Sequence, residues 1–317
     1  MAGDSGRMAP GWSGCRVLTD RTADKRHDFL SAEALEPRWD DPDCRILPVC
    51  EQRVFLHCRA PSDQPPRLLA PRRQKAAELL AHADNPVWVG ELQGQPCFAV
   101  RLHRFTPRQR IPGGDFTELR AVAGFLTDSE WQLLARAKSL VHWHDTHGYC
   151  SHCGYPTRRE AAGLSRRCEN PGCGIPHFPR TDPAVIIRVC NQDRLLLARQ
   201  PSWPEKRRSV LAGFVSPGET AEQAAVREIH EEAGLRIDAN SLRYFESQPW
   251  PFPGSLMLAY TAETRDEHIR CLDGELREAA WWTREALQAA VAAQAIDLPT
   301  HRSVARSLIE DWLNNRR

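Results

Sequence analysis

No run of eighteen apolar residues occurs anywhere in the 317-residue chain, which excludes a membrane-spanning helix. Met1 to Asp20 also lack an apolar signal core, so the expectation is a soluble, intracellular protein of the cytoplasm with no membrane partner. Net charge is nearly absent. Forty-two Lys and Arg against forty-one Asp and Glu leave +1, with a pI near 7.6, which excludes bulk polyelectrolyte binding. Any RNA must therefore be held by local patches, and Arg158-Arg159, Arg166-Arg167 and Lys206-Arg207-Arg208 are the candidates. Their bland reading is solvated surface.

Missing, too, is an even cysteine count. Eleven cysteines without a secretory leader argue for a reducing compartment and against a disulfide framework. Four of them are spaced Cys150-x2-Cys153-x14-Cys168-x4-Cys173, two knuckles around a short excursion. That is the spacing of a four-thiolate structural zinc site, and one Zn2+ would staple a segment too small to bury a core of its own. The other seven (Cys15, Cys44, Cys50, Cys58, Cys97, Cys190 and Cys271) show no such pairing and read as small buried or surface thiols. His142, His144 and His147 read as the polar side of a helix entering the ribbon, because His142 and His144 cannot share a helical face.

The chain's most informative stretch is Gly213-x5-Glu219-x7-Arg227-Glu228-Ile229-x-Glu231-Glu232-x-Gly234-Leu235. A helix advances about 100° per residue, so Glu228, Glu231 and Glu232 share an arc while Val226, Ile229 and Ala233 cluster on the far side. Thr220 with Gln223 suits a capping box, and Gly234 suits a left-handed C-terminal position. Three neighbouring carboxylates repel one another unless neutralised, and hard oxygen donors suit Mg2+ or Mn2+. A solvated acidic helix face is the alternative. The whole pattern, however, resembles the Nudix box, complete at every defining position. The resemblance implies hydrolysis of a nucleoside diphosphate linked to another group. It implies metal binding by Glu228, Glu231, Glu232 and the Ala212 carbonyl, proton abstraction from water by Glu232 or Glu231, and pairing of Arg227 with Glu219.

Downstream lies Ser247-Gln248-Pro249-Trp250-Pro251-Phe252-Pro253-Gly254-Ser255, whose three prolines read as a stiff loop, not a strand. An ordinary rigid loop that packs Trp250 and Phe252 into a core is one reading. The stretch also closely resembles the signature of the NADH pyrophosphatase branch of the Nudix family, whose members remove NAD caps from RNA. That likeness implies that Gln248, Pro249, Trp250, Pro251, Phe252, Pro253, Gly254 and Ser255 line a dinucleotide pocket and that Glu278 is a further metal ligand. Phe178 and Phe214 would lie against the bound base, and Ala305 would touch substrate. The branch carries a zinc ribbon ahead of its catalytic domain, in agreement with the cysteine spacing, and an N-terminal domain of related α/β architecture often used in pairing subunits, which implies a homodimer.

Length exceeds the usual single-domain range. The expected organisation is an N-terminal Nudix-like α/β domain over 1–144, a zinc ribbon over 145–178 and a catalytic Nudix domain over 179–317. The runs 53–57 and 97–102 alternate as strands, and Thr117 to His144 reads as helical. Strands are expected at 184–190, 194–198, 209–214, 243–247, 255–262 and 279–282, and helices at 284–293 and 303–314. The fold class is α/β (α+β), a mixed sheet sandwiched between helices. The leading function is metal-dependent cleavage of NAD(H) to NMN(H) and AMP and removal of the NAD cap from RNA. The alternatives are a Nudix hydrolase of ADP-ribose, diadenosine polyphosphate or another conjugate, and a catalytically silent module that binds nucleic acid or a partner.

Overall fold

Short continuous apolar runs build both large sheets, since successive side chains turn to opposite faces and both faces are covered. The computed structural model describes residues 38–57, 67–68, 70–84, 86–103, 114–271 and 274–314, so Cys15 and Cys58 lie outside the described residues. The first sheet is made of β1 (Arg45–Cys50), β2 (Arg53–His57), β3 (Arg67–Leu68), β4 (Val87–Leu92), β5 (Gln95–Leu102) and β6 (Asp115–Thr117), with α1 (Ala77–Leu80) before β4. Its order is β3-β2-β1-β5-β4, with β6 also on β2, and only β1 and β5 run parallel.

The helix expected from Thr117 to His144 is interrupted. Thr117 ends β6, α2 spans Leu119–Val122, Leu126 is extended, and α3 begins afresh at Asp128 and runs to Thr146. Thr127 is the cause: its hydroxyl accepts from the Glu130 amide while the Glu130 carboxylate accepts from the Thr127 amide, a complete capping box. From there α3 buries Trp131, Leu134 and Leu140 against the first sheet.

The ribbon, β7 (Thr157–Glu160), β8 (Ser165–Cys168) and β9 (Pro176–His177), docks on that sheet. Gly163 has φ +85°, and a Cβ there would lie 2.9 Å from Val87 Cγ2, so no larger residue fits this seam. His144 belongs to the seam and not to a polar helix face: it is buried, and its Nε2 donates to the Gly163 carbonyl at 2.8 Å. Arg166 is likewise buried, its Nε donating to Thr157 Oγ1 at 2.7 Å, and Arg159 pairs with Asp84.

The second sheet contains β10 (Asp182–Asn191), β11 (Arg194–Arg199), β12 (Leu211–Phe214), β13 (Arg243–Trp250), β14 (Ser255–Glu263) and β15 (Glu278–Trp282). Its order is β13-β14-β10-β11-β15, with β12 sharing the edge of β10 and a parallel β10–β14 pair. Along β10, Val185, Ile187 and Val189 face Ile229 and Ala233 of α4 (Ala221–Ala233). Ala184 and Ile186 face the other way, onto Leu287 of α5 (Arg284–Ala292) and Ile309 and Trp312 of α6 (Val304–Asn314). A mixed sheet between helices results, with each fully buried Ile or Leu contributing about 1.5–3 kcal/mol of transfer free energy.

One expectation is overturned here. Ser247 to Trp250 are strand, not loop, with Pro249 opposite Leu256. β13 is the edge of its sheet, where a proline that cannot donate costs no ladder bond on its open side. No helix among the described residues is long and apolar enough to cross a membrane.

Candidate active site

Thr220 and Gln223 form the expected capping box at the start of α4, and Gly234, at φ 67°, closes it in the left-handed region. The acidic arc turns inward, toward β12. Glu228 is half-buried and Glu232 only 2% exposed, whereas Glu231 lies at the surface. Between them stands Arg227. Its Nε and Nη2 donate to the two oxygens of Glu219 at 2.8 and 2.9 Å, Nη1 donates to Glu228 and Glu231 at 2.8 Å each, and Nη2 also donates to the Phe214 carbonyl. This fork, with the Ser216 amide, holds the Glu219 carboxyl down at about 2, and the same carboxylate raises Arg227 above its ordinary value. Burial pushes the Glu228 carboxyl up, and Arg227 opposes it.

Gly213 sets its bare backbone against Glu228. A Cβ there would sit 1.9 Å from the Glu228 carboxyl carbon, so a larger residue would push that carboxylate out of its place. Beside it opens a cavity of about 500 Å3 lined by Ala212, Glu232, Gln248, Trp250 and Ala305. Residues from β12, α4, β13 and α6 thus converge. Gln248 organises the far wall: its Nε2 donates to the Arg302 carbonyl at 2.6 Å and its Oε1 accepts from the Val304 amide at 3.0 Å, which fixes the first turn of α6 and with it Ala305.

Two basic residues complete the cavity and carry no motif that could have marked them as site residues. Arg120, from α2 in the N-terminal unit, lines it with its guanidinium 5.2 Å from the Trp250 ring centre and 4.6 Å from that of Phe252. Burial, and then the neighbouring Arg207, pull Arg120 below its ordinary value. Arg207, expected from the sequence as part of a candidate RNA patch or a solvated surface cluster, lines the same cavity.

Other expected site residues lie elsewhere. Pro249, Pro251, Gly254 and Ser255 line a neighbouring cavity of about 980 Å3 that shares Gln248 and Trp250 with the first. Phe252 packs against the N-terminal core, its ring 6.4 Å from Trp131, and the next bond, Phe252–Pro253, is cis. Phe178 and Phe214 are 65% and 61% exposed and line neither cavity. Glu278 is held by two arginines, Arg199 at 2.8 Å and Arg208 at 2.6 Å, which keep its carboxyl below the usual range.

Among the described residues, Cys150, Cys153, Cys168 and Cys173 are the one group of three or more His, Cys, Asp or Glu whose ligand atoms all lie within 4.8 Å of one another. Sulfur separations of 3.5 Å for Cys153–Cys168 and 3.9 Å for Cys150–Cys173 bracket the roughly 3.8 Å that tetrahedral Zn–S bonds impose. The thiols therefore fit zinc. The acidic site offers a carbonyl and carboxylates, the donor chemistry of Mg2+ or Mn2+.

Three family models match the chain. A NUDIX domain matches residues 180–303, an NADH pyrophosphatase-like rudimentary NUDIX domain matches 43–143, and an NADH pyrophosphatase zinc ribbon domain matches 145–178. The chain is 40% identical over 245 residues to the NAD-capped RNA hydrolase NudC of Mycobacterium bovis (strain BCG / Pasteur 1173P2), covering 73% of this chain and 77% of that one. It is 35% identical over 275 residues to the enzyme of that name from Pseudomonas aeruginosa (strain LESB58), covering 86% and 89%. Among solved structures, a NUDIX hydrolase from Nitrosomonas europaea, 20% identical, matches with a TM-score of 0.43 over 53% of this chain and 91% of that one.

Proposed function

The chain belongs to the Nudix family, in the branch of the NAD-capped RNA hydrolases, and from that premise we propose how its cavity acts on a dinucleotide. The reaction is hydrolysis of the pyrophosphate bond of NAD(H) to NMN(H) and AMP. When the dinucleotide caps an RNA, the same cut releases NMN and leaves a 5′-monophosphate chain. The observation that carries this reading is the convergence of Ala212, Glu232, Gln248, Trp250 and Ala305 on one cavity, whose volume lies in the small-ligand range.

The Ala212 carbonyl with Glu228, Glu231 and Glu232 would hold Mg2+ or Mn2+. Bound there, such a metal neutralises pyrophosphate charge and acidifies water. Glu232, shielded from solvent and facing the cavity, takes the proton of the attacking water; Glu231 is more open and already bound to Arg227. Arg227 and Glu219 keep loop and helix in register. Glu278 joins the metal ligands only by exchanging its two arginine partners. Trp250 offers a ring to a base from inside the cavity, and Phe178 and Phe214 offer theirs from exposed positions.

The chain divides into an N-terminal unit over 1–144, the ribbon over 145–178 and the catalytic unit over 179–317, and one structural zinc belongs to the ribbon. It functions in the cytoplasm as a homodimer. Tyr149, Tyr155, Ile175 and Phe178, all large and exposed on the ribbon segment, support the pairing. Light scattering on the eluted protein tests it. For the reaction, the zinc-loaded protein is incubated with NADH and Mg2+ or Mn2+; formation of NMNH and AMP, lost in Glu232→Gln, is expected. Absence of both products, while another dinucleotide is cleaved, would sink the reading.

A further inference from the structure

Away from the catalytic cavity and its neighbour, the seam between ribbon and first sheet holds a third cavity of about 590 Å3, lined by Asp84, Arg101, His144, Arg158, Arg159 and Arg166. Four guanidinium groups face a single carboxylate. Asp84 is divided among Arg101 at 3.5 Å, Arg159 at 3.4 Å and His103 at 2.6 Å. Asp145 pairs with Arg101 at 2.7 Å, and Glu160 is shared between Arg158 and Arg167. Five arginines therefore meet three carboxylates.

Arg166 has the least compensation. It is 8% exposed, and its bonds go to neutral groups: Nε to Thr157 Oγ1, Nη2 to the Thr157 carbonyl at 2.7 Å and Nη1 to His144 Nδ1 at 3.0 Å. Among the described residues it forms no ion pair, and Glu169 and Asp84 act on it only from a distance. His144 cannot add an anion. Its Nε2 proton is committed to the Gly163 carbonyl, which leaves Nδ1 to accept from Arg166. A buried cation short of counter-charge is costly unless an anion completes it, and converging guanidinium forks match tetrahedral oxyanions.

We propose that this pocket is an anion site that takes a phosphate group, from an RNA chain trailing its cap or from free phosphate. The RNA source is favoured by position: His144 lies six residues, roughly 9 Å along α3, from Lys138, whose Nζ donates to the Pro251 carbonyl in the turn after β13, next to Trp250 of the catalytic cavity. The site stands independently of the catalytic assignment; only the RNA source rests on it.

The test titrates inorganic phosphate into the zinc-loaded full-length protein by calorimetry, with Arg158→Glu and Asp84→Asn as variants of opposite sign. Arg158 is 59% exposed, so its reversal spares the fold. Arg158→Glu should weaken phosphate binding at least fivefold and Asp84→Asn should tighten it, with kcat/KM for NADH unchanged in both. Wild-type affinity in both variants overturns the site. If kcat/KM on NAD-capped RNA falls in Arg158→Glu while that for NADH holds, the RNA chain supplies the phosphate; if decapping holds while phosphate affinity drops, free phosphate does.

Discussion

Replacing Lys138 by Met removes one atom that ties the N-terminal unit to the turn after β13. Lys138 is buried; its Nζ donates to the Pro251 carbonyl at 2.7 Å and to Gln52 Oε1 at 3.0 Å, and it lies 5.1 Å from the Phe252 ring centre. Hydrogen bonds to a charged group are worth about 1.5–3 kcal/mol each. Losing two costs about 3 kcal/mol at the low end, and the Met side chain, which no longer buries an ammonium, returns roughly 1 kcal/mol. A net loss of about 2 kcal/mol corresponds to a fall of at least roughly 4–8 °C in Tm, the figure for 150–250 residues, since a shorter unit shifts more. Because Pro251 adjoins Trp250, KM for NADH should rise while kcat changes little. Thermal unfolding followed by circular dichroism, together with steady-state kinetics, reads both effects. An unchanged Tm and KM would refute the claim that Lys138 braces the turn.

Gly213→Ala should lower kcat at least a hundredfold with the protein still folded, since its Cβ would displace the Glu228 carboxylate; wild-type kcat would show that this contact yields freely. Glu219, depressed in the fold to about 2 from an ordinary 4.5, contributes stability that is fully present above pH 4.5 and lost as pH falls toward 2. Acid unfolding in that window should therefore flatten in Glu219→Gln, and an identical acid limb would contradict the pairing. Chelation should remove one zinc per chain, measured by atomic emission, and melt the ribbon, detected as new proteolytic cleavage between residues 150 and 173; an uncleaved zinc-free ribbon would argue against a structural role.

Locally encoded features were the legible ones. Thr220, Gln223 and Gly234 mark the ends of α4 because caps act within a few residues, and the four thiols meet as their spacing implies. The Thr127 capping box is equally local, and the apolar pattern simply runs through it. Elsewhere a distant neighbour outweighed a local preference: Pro249 sits in a strand because that strand is an edge, and His144 is buried because a ribbon lies over it. Arg120 carried no signal at all: its place over Trp250 comes from the packing of α2 of the N-terminal unit against the catalytic unit.

By itself, then, the sequence determined the acidic helix, the thiolate set and the branch, since each depends on residues a few positions apart. Only the tertiary structure decided that Glu232 is enclosed while Glu231 stays at the surface, that Glu278 starts bound to two arginines, and that the N-terminal unit supplies both a wall of the catalytic cavity and half of an arginine pocket. Burial and pairing depend on which elements pack together. No local pattern contains that information.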